Sequence, residues 1–286
     1  MRIPRNRAST RLFRGAVPLL ALELGLAALL LDSPSIGSPS WTQEAPPPAV
    51  EEVLAQAEKS PLERALALGR DLGRSAREHA SVREGIAREL PEAGPIGRLA
   101  LGAALAEAGE TGAGKDAFLA LLEEGTPEPV AEAAASLLGL PPFPSDAPVA
   151  RDLVKALLAK IEAGSLPPLV RLRAATSLFR LGGGSEKTRA RSDLRAFLRS
   201  EDENLRAEGA IALASLGDRE SSREELKRLA AEPTLRGDLA RAFFEAEGTE
   251  KFYERVQKKQ RDFYEKREES ARPRKPLDAG DPQILE

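Results

Sequence analysis

The sequence predicts an all-α protein built from about six stacked helical hairpins, and three observations support this fold class. The segment LVRLRAATSLFRLG at residues 169–182 returns as NLRAEGAIALASLG at residues 204–217, so that the two closing glycines lie 35 residues apart. Self-similarity at a period between about 20 and 50 residues is typical of repeat arrays. Apolar residues also recur at steps of three and four from residue 50 to residue 248, and Gly or Pro separates the helical segments.

The first 37 residues are typical of an export signal or a membrane anchor. Arginines at positions 2, 5, 7, 11 and 14 precede an apolar run over residues 15–31, and a polar stretch with small residues follows. Cleavage after Gly37 is one outcome and retention as an anchor is the other, although Glu23 within the run opposes insertion. A buried amphipathic first helix would not require five arginines beside so apolar a run. We therefore expect an extracytoplasmic body, on the periplasmic side, that is membrane-anchored or secreted and contacts the membrane only through this segment.

A Pro/Ser-rich linker over residues 38–49 leads into a helical body over residues 50–248. Each hairpin is expected to end at a glycine, at positions 73, 109, 139, 182, 217 and 248. The expected second helices of the six hairpins cover residues 61–72, 95–108, 128–138, 167–181, 202–216 and 234–247. In the fifth hairpin the first helix is expected over residues 192–198. There Gly209 allows close approach of the two helices, and Leu213 lies on the buried stripe.

The segment that follows the body has a different composition. Residues 249–270 contain no Gly or Pro and are rich in Lys, Arg and Glu around a few aromatic residues. They predict a long charged C-terminal helix that either caps the last hairpin or pairs with another helix. Residues 271–286 are Pro-rich and are expected to be disordered.

The repeated motif resembles that of the HEAT-repeat family. The matching residues are Asp202-x-x-Leu205-Arg206-x-x-Gly209-Ala210, Val170-Arg171-x-x-Ala174-Ala175 and Leu235-Arg236 with Leu239-Ala240. The match is clear over residues 167–248 and weak over residues 50–140, where Ala131 stands at the position of the arginine. The resemblance implies a right-handed α-solenoid in which Asp and Arg side chains form a ladder between repeats. It makes Arg171, Arg206 and Arg236 structural ladder candidates, with Asp202 as the acid.

The composition excludes several kinds of site. The chain has no cysteine, which excludes disulfides, thiolate nucleophiles, Cys-ligated zinc and iron–sulfur clusters. The sole histidine, His79, excludes a multi-histidine metal site and is expected to be solvated. Beyond residue 37 the chain has 37 basic and 43 acidic residues, and this mildly acidic balance disfavours nucleic acid. We expect no cofactor and no metal.

One segment of the sequence resembles a nucleotide-binding loop. GETGAGKD at residues 109–116 matches G-x-x-x-x-G-K, but the residues before it have a helical pattern and Asp116 stands where a Ser or Thr should meet magnesium. We expect a Gly-rich loop between helices.

These features favour an exported, non-enzymatic repeat protein that serves as a scaffold for a protein partner through its solenoid surface. One alternative is the N-terminal regulatory portion of a larger exported enzyme such as a protease, which the end of the chain on Ile284-Leu285-Glu286, resembling an interrupted helix, would suit. Another is HEAT-type lyase activity, which only the fold resemblance suggests. No set of catalytic residues is identifiable in the sequence.

Overall fold

The computed structural model describes residues 49–245 and Lys258. These residues form twelve α-helices and one short 3-10 helix at Phe143–Ser145, with no strand among them, which confirms the predicted all-α class. The α-helices are α1 (Val50–Glu58), α2 (Leu62–Glu78), α3 (Ala80–Glu89), α4 (Pro95–Ala108), α5 (Thr111–Ala120), α6 (Glu128–Leu137), α7 (Ala147–Ala163), α8 (Pro168–Leu181), α9 (Gly184–Phe197), α10 (Glu203–Ser215), α11 (Arg219–Ala230) and α12 (Leu235–Glu245). The predicted signal or anchor at 1–37, the linker as far as residue 48, the charged helix at 249–270 apart from Lys258, and the tail at 271–286 lie outside the described residues.

The helices fall into two sets that alternate along the chain. The even-numbered helices, which we call the even row, contact one another in chain order from α2 to α12. The odd-numbered helices lie beside them: α5 contacts α4, α7 contacts α8, α9 contacts α8 and α10, and α11 contacts α10 and α12. Most residues of α4, α6, α8 and α10 are buried, whereas the odd helices bury only one side. The even row therefore supplies most of the core. Among the described helices, none is both long enough and apolar enough to cross a bilayer.

The even row corresponds to the predicted second helices of the hairpins. The bounds of α4, α6, α8 and α10 agree with the predictions to within one residue, and α12 begins one residue after its predicted start. Gly109, directly after α4, and Gly217, two residues after the end of α10, have φ angles of 92° and 87°, in the left-handed region that favours glycine and ends a helix. These two glycines therefore close their hairpins as the sequence predicts.

The prediction for Gly73 is wrong, because α2 continues past this residue to Glu78. Gly73 is buried against α4, and a Cβ atom placed there would lie 2.5 Å from the Ala104 carbonyl oxygen. One turn earlier, a Cβ on Gly69 would lie 2.2 Å from the Ala100 carbonyl oxygen. The two glycines let the backbones of α2 and α4 approach closely, which no larger residue allows. Gly73 thus serves helix packing instead of helix termination.

The expected glycine-rich loop at 109–116 is mostly helix. Gly109 and Glu110 form the turn, and α5 begins at Thr111. Gly114 is buried in α5, where a Cβ atom would lie 3.1 Å from both the Gly102 carbonyl oxygen and the Ala106 nitrogen of α4. Its function in packing explains a glycine within a helix, where glycine otherwise costs about 1 kcal/mol relative to alanine. Lys115 lies within ion-pair distance of Asp116, at 3.3 Å, and of Asp152, at 3.8 Å.

The fifth hairpin packs as predicted, although its first helix is longer. The expected helix at 192–198 is the last part of α9, which begins eight residues earlier, at Gly184. Leu213 is 1% exposed, which confirms its place on the buried stripe. A Cβ atom on Gly209 would lie 2.9 Å from Phe197 Cβ, so the absence of a side chain does allow α9 to approach α10.

Candidate functional site

A pocket of about 210 Å³ opens over the first two turns of four even-row helices. We call it the ladder groove. It is lined by Glu128 and Glu132 of α6, Pro168, Leu169 and Arg173 of α8, Asp202, Asn204, Leu205 and Glu208 at the start of α10, and Arg236 of α12. The even row places these residues together because α6, α8, α10 and α12 follow one another in contact and each contributes its N-terminal end.

Four charged side chains of alternating sign connect these helices, and we call them the charge ladder. Arg173 Nε donates to Glu132 Oε1 at 2.9 Å, and Arg173 Nη2 donates to Glu208 Oε2 at 2.9 Å. Arg236 Nη2 donates to the other oxygen of Glu208 at 3.0 Å, and Arg236 Nη1 donates to Asn204 Oδ1 at 2.8 Å. The ladder therefore runs from α6 through α8 and α10 to α12.

The charge ladder is buried at three of its four members. Arg173 is 1% exposed, Glu132 is 2% exposed and Glu208 is 3% exposed. A buried charge is costly unless it is paired and hydrogen-bonded, and removing one partner of such a pair costs about 3–5 kcal/mol. The planar guanidinium of Arg173 reaches carboxylates on two different helices at once, which a lysine side chain would not reproduce. Arg173 thereby fixes the relative positions of α6, α8 and α10.

Only one of the four predicted ladder residues belongs to this network. Arg236 does, through Glu208. Arg171 lies 3.6 Å from Asp193 of α9, and Arg206 donates to the carbonyl oxygens of Ser200 and Glu201 just before its own helix. Asp202 caps α10, because its carboxylate accepts from the backbone N–H groups of the second and third residues that follow it.

The members of the ladder that sequence reasoning missed left a detectable signal. Arg173 and Glu208 stand at the same position of the repeated segment, 35 residues apart and two residues after Arg171 and Arg206. Both interrupt runs of Ala and Leu, as Glu132 interrupts a run of alanines. A charge within a stripe of small apolar residues indicates a buried pair, and opposite signs at equivalent positions indicate that the pair joins two repeats.

The ladder groove presents both charged and apolar groups. Its rim carries the exposed carboxylates of Glu128 and Asp202, and Pro168, Leu169 and Leu205 supply apolar area. His79 lies elsewhere, exposed between α2 and α3. Over the part of the chain that the structure describes, no three His, Asp or Glu side chains are grouped so as to hold a metal ion. The groove therefore combines exposed carboxylates with apolar surface.

Comparison of the chain with protein-family models, with curated proteins and with solved structures gives no match. The HEAT resemblance therefore stays a prediction that depends on the repeated motif itself.

Proposed function

We propose that this chain is an exported, non-enzymatic HEAT-like protein that binds a protein partner through the ladder groove. In this proposal the even and odd helices form successive layers of a right-handed α-solenoid. The ordered contacts along the even row support it, because in a solenoid each repeat contacts its neighbours along the chain.

The observation that carries the proposal is the extent of the ladder groove. The groove crosses four helices that are far apart in sequence, from Glu128 to Arg236, and buried ion pairs hold its floor in place. A segment of a partner that lies along the groove would touch several repeats at once. Preorganised multi-point contact lowers the ordering cost of binding, which is how a surface without a deep cavity obtains affinity.

Site-specific photo-crosslinking tests the binding surface. A photoreactive amino acid is placed in the full chain at Glu128 or at Leu169, both of which line the ladder groove. Arg151 and Lys155, exposed on α7, are the matched control positions. We expect one discrete crosslinked protein from both groove positions and not from the control positions. Equal crosslinking from all four positions, or from the α7 positions alone, would rule out the groove as the binding surface.

A reporter fusion tests export separately. An enzyme that is active only outside the cytoplasm is joined after Pro48, so that the arginine-flanked apolar run of residues 15–31 directs it. We expect reporter activity, and N-terminal sequencing of the mature protein then distinguishes cleavage near Gly37 from retention of the anchor. A reporter that is inactive here but active behind an established signal peptide would contradict export.

A further inference from the structure

The surface of α9 and the turn after it carry a row of cations that is separate from the ladder groove. Lys187, Arg191, Arg195 and Arg199 follow one another at intervals of four residues, and we call them the cationic row. Residues four apart in a helix lie on the same side, about 6 Å from each other, so Lys187, Arg191 and Arg195 share one side of α9, and Arg199 follows in the turn after the helix ends at Phe197. Lys187, Arg195 and Arg199 are exposed and Arg191 is half-buried.

The local excess of positive charge is large for this molecule. Residues 171–199 contain eight Lys or Arg and two Asp or Glu, whereas residues 49–140 contain nine Lys or Arg and sixteen Asp or Glu. Of the eight cations, only Arg173 is buried in the charge ladder. Four of the remaining seven make up the cationic row, and a local excess of positive charge attracts anionic partners.

An aromatic ring holds two members of the cationic row in place. Lys187 Nζ lies 5.7 Å from the centroid of the Phe179 ring, and Arg191 Cζ lies 5.3 Å from it. A cation over an aromatic face is attracted by the ring, and the contact restricts the rotamers of a long side chain. The charges are therefore partly ordered at the surface before any ligand arrives, which reduces the cost of binding.

Arginines of this region already pair with carboxylates of the chain. Outside the row, Asp193 lies 3.6 Å from Arg171 and 3.3 Å from Arg189, so two arginines share one carboxylate. Asp218, at the start of α11, lies 2.8 Å from Arg195 and 3.6 Å from Arg191 in the same way.

The pairing of cations with carboxylates does not extend to the two ends of the cationic row. In the part of the chain that the structure describes, Lys187 and Arg199 form no ion pair with a carboxylate.

We propose that the cationic row is a docking surface for an acidic segment of a protein partner, whose carboxylates extend the pairing that Asp218 makes with Arg191 and Arg195. The row favours carboxylates because Arg191 and Arg195 already share that of Asp218, and a guanidinium fork matches a carboxylate in geometry. A segment with Asp or Glu one helical turn apart fits the spacing of the cations. The proposal does not depend on the ladder groove, which lies on the even row.

The test measures binding of a fluorescent oligoglutamate peptide to the purified full chain by anisotropy at low ionic strength. The test variant is Lys187→Ala with Arg199→Ala, which removes two exposed charges that form no ion pair within the described residues. The control is Arg151→Ala with Lys155→Ala on α7, which changes the net charge by the same amount. We expect the test variant to weaken binding about fivefold, the control to leave the affinity nearly unchanged, and salt to weaken binding to the wild-type chain.

Three outcomes would overturn the proposal. The first is no binding of the peptide by the wild-type chain, and the second is an equal loss in both variants, which would indicate only a response to net charge. The third is tighter binding of an oligodeoxyadenylate, or of vesicles that contain phosphatidylglycerol, with the same dependence on Lys187 and Arg199. Such a result would assign the row to phosphates. A failure here leaves the groove crosslinks unaffected, so the two proposals are tested independently.

Discussion

Consecutive helices of the even row are joined in two physically different ways. Between α2 and α4, Gly69 and Gly73 bring one backbone against the Ala100 and Ala104 carbonyl oxygens of the other. Between α8 and α10, the contact includes the buried ion pair of Arg173 with Glu208. The first contact tolerates no added volume because its atoms are already in van der Waals contact. The second tolerates no loss of a charge, because the remaining partner would be buried unpaired.

The comparison shows how each part of the chain fixes the relative positions of its even-row helices. The close backbone contact of α2 with α4, which we call the seam, requires glycine at only two positions, Gly69 and Gly73, so it leaves little trace of a repeated motif. A buried charged side chain, in contrast, requires an oppositely charged side chain at one particular position of the neighbouring helix. The repeated motif is clear over residues 167–248, which contain three of the four ladder residues, and weak over the part that contains the seam.

The largest expected effect is the loss of the central cation of the ladder. Arg173→Ala leaves the carboxylates of Glu132 and Glu208 in a buried site without this partner, and we expect it to lower the free energy of unfolding by about 3–5 kcal/mol. Urea denaturation followed by circular dichroism measures this change.

Arg171→Ala is the matched control for the ladder, since it removes the same side chain from the same helix two residues away. The Arg171 side chain is 40% exposed and lies 3.6 Å from Asp193, so its loss should cost less than about 1 kcal/mol. Equal losses from Arg173→Ala and Arg171→Ala would show that the ladder has no special importance for stability.

The next prediction tests whether a destabilising substitution affects only the neighbouring repeats. Leu213 is 1% exposed on α10, and Leu213→Ala should cost about 2–5 kcal/mol through lost burial and a cavity. In a solenoid the damage should be confined to neighbouring repeats, so hydrogen exchange should accelerate over residues 186–245 while residues 61–140 keep their protection. Uniform acceleration over the described helices would instead indicate a single cooperative core.

The seam between α2 and α4 should respond to a single methyl group. Gly73→Ala places a Cβ atom 2.5 Å from the Ala104 carbonyl oxygen, so the two helices must separate, and we expect a loss of about 1–3 kcal/mol. Gly112→Ala, in α5, adds the same methyl group where no atom beyond the neighbouring helical backbone lies within 4 Å, and it should stabilise the helix by up to about 1 kcal/mol. Thermal unfolding of both variants measures the contrast, and a stabilising Gly73→Ala would show that the seam is not tightly packed.

The sequence predicts the helices well because glycine and proline mark most of their ends. It predicts Gly73 wrongly because glycine has two functions, ending a helix through a positive φ angle and admitting a neighbouring backbone. The interval of four residues from Gly69 to Gly73, which places both on one face of α2, was the available signal for the second function.

The charge ladder differs from the predicted ladder residues, Arg236 apart, for a related reason. The HEAT resemblance points to Arg171 and Arg206, whereas the buried charges stand two residues later, at Arg173 and Glu208. Residues two apart in a helix differ by about 200° in direction, so they face opposite sides. A motif identifies the helix, but burial decides which of its charged residues forms the pair. A single sequence does not identify the partner of a surface, because an exposed charged residue that binds a protein cannot be distinguished from one that is solvated.

The smallest expected effect lies at the contact between α9 and α11, and it depends on pH. Partial burial favours the neutral form of Asp218, but hydrogen bonds from Ser221 and Arg195 outweigh it and hold the pKa of this carboxyl below its ordinary value. Because the folded pKa is the lower one, the stabilisation is complete above the unfolded pKa of about 3.9 and is lost as the pH falls through the folded pKa. Asp218→Asn keeps an acceptor at the start of α11 but removes the charge, so it should cost at most about 1 kcal/mol at neutral pH and nothing in strong acid. Urea unfolding at a series of pH values measures this convergence, with Glu84→Gln, at an exposed position of α3, as the control for net charge. A cost that stays constant down to the lowest pH would mean that the side-chain shape of Asp218, and not its charge, stabilises the contact.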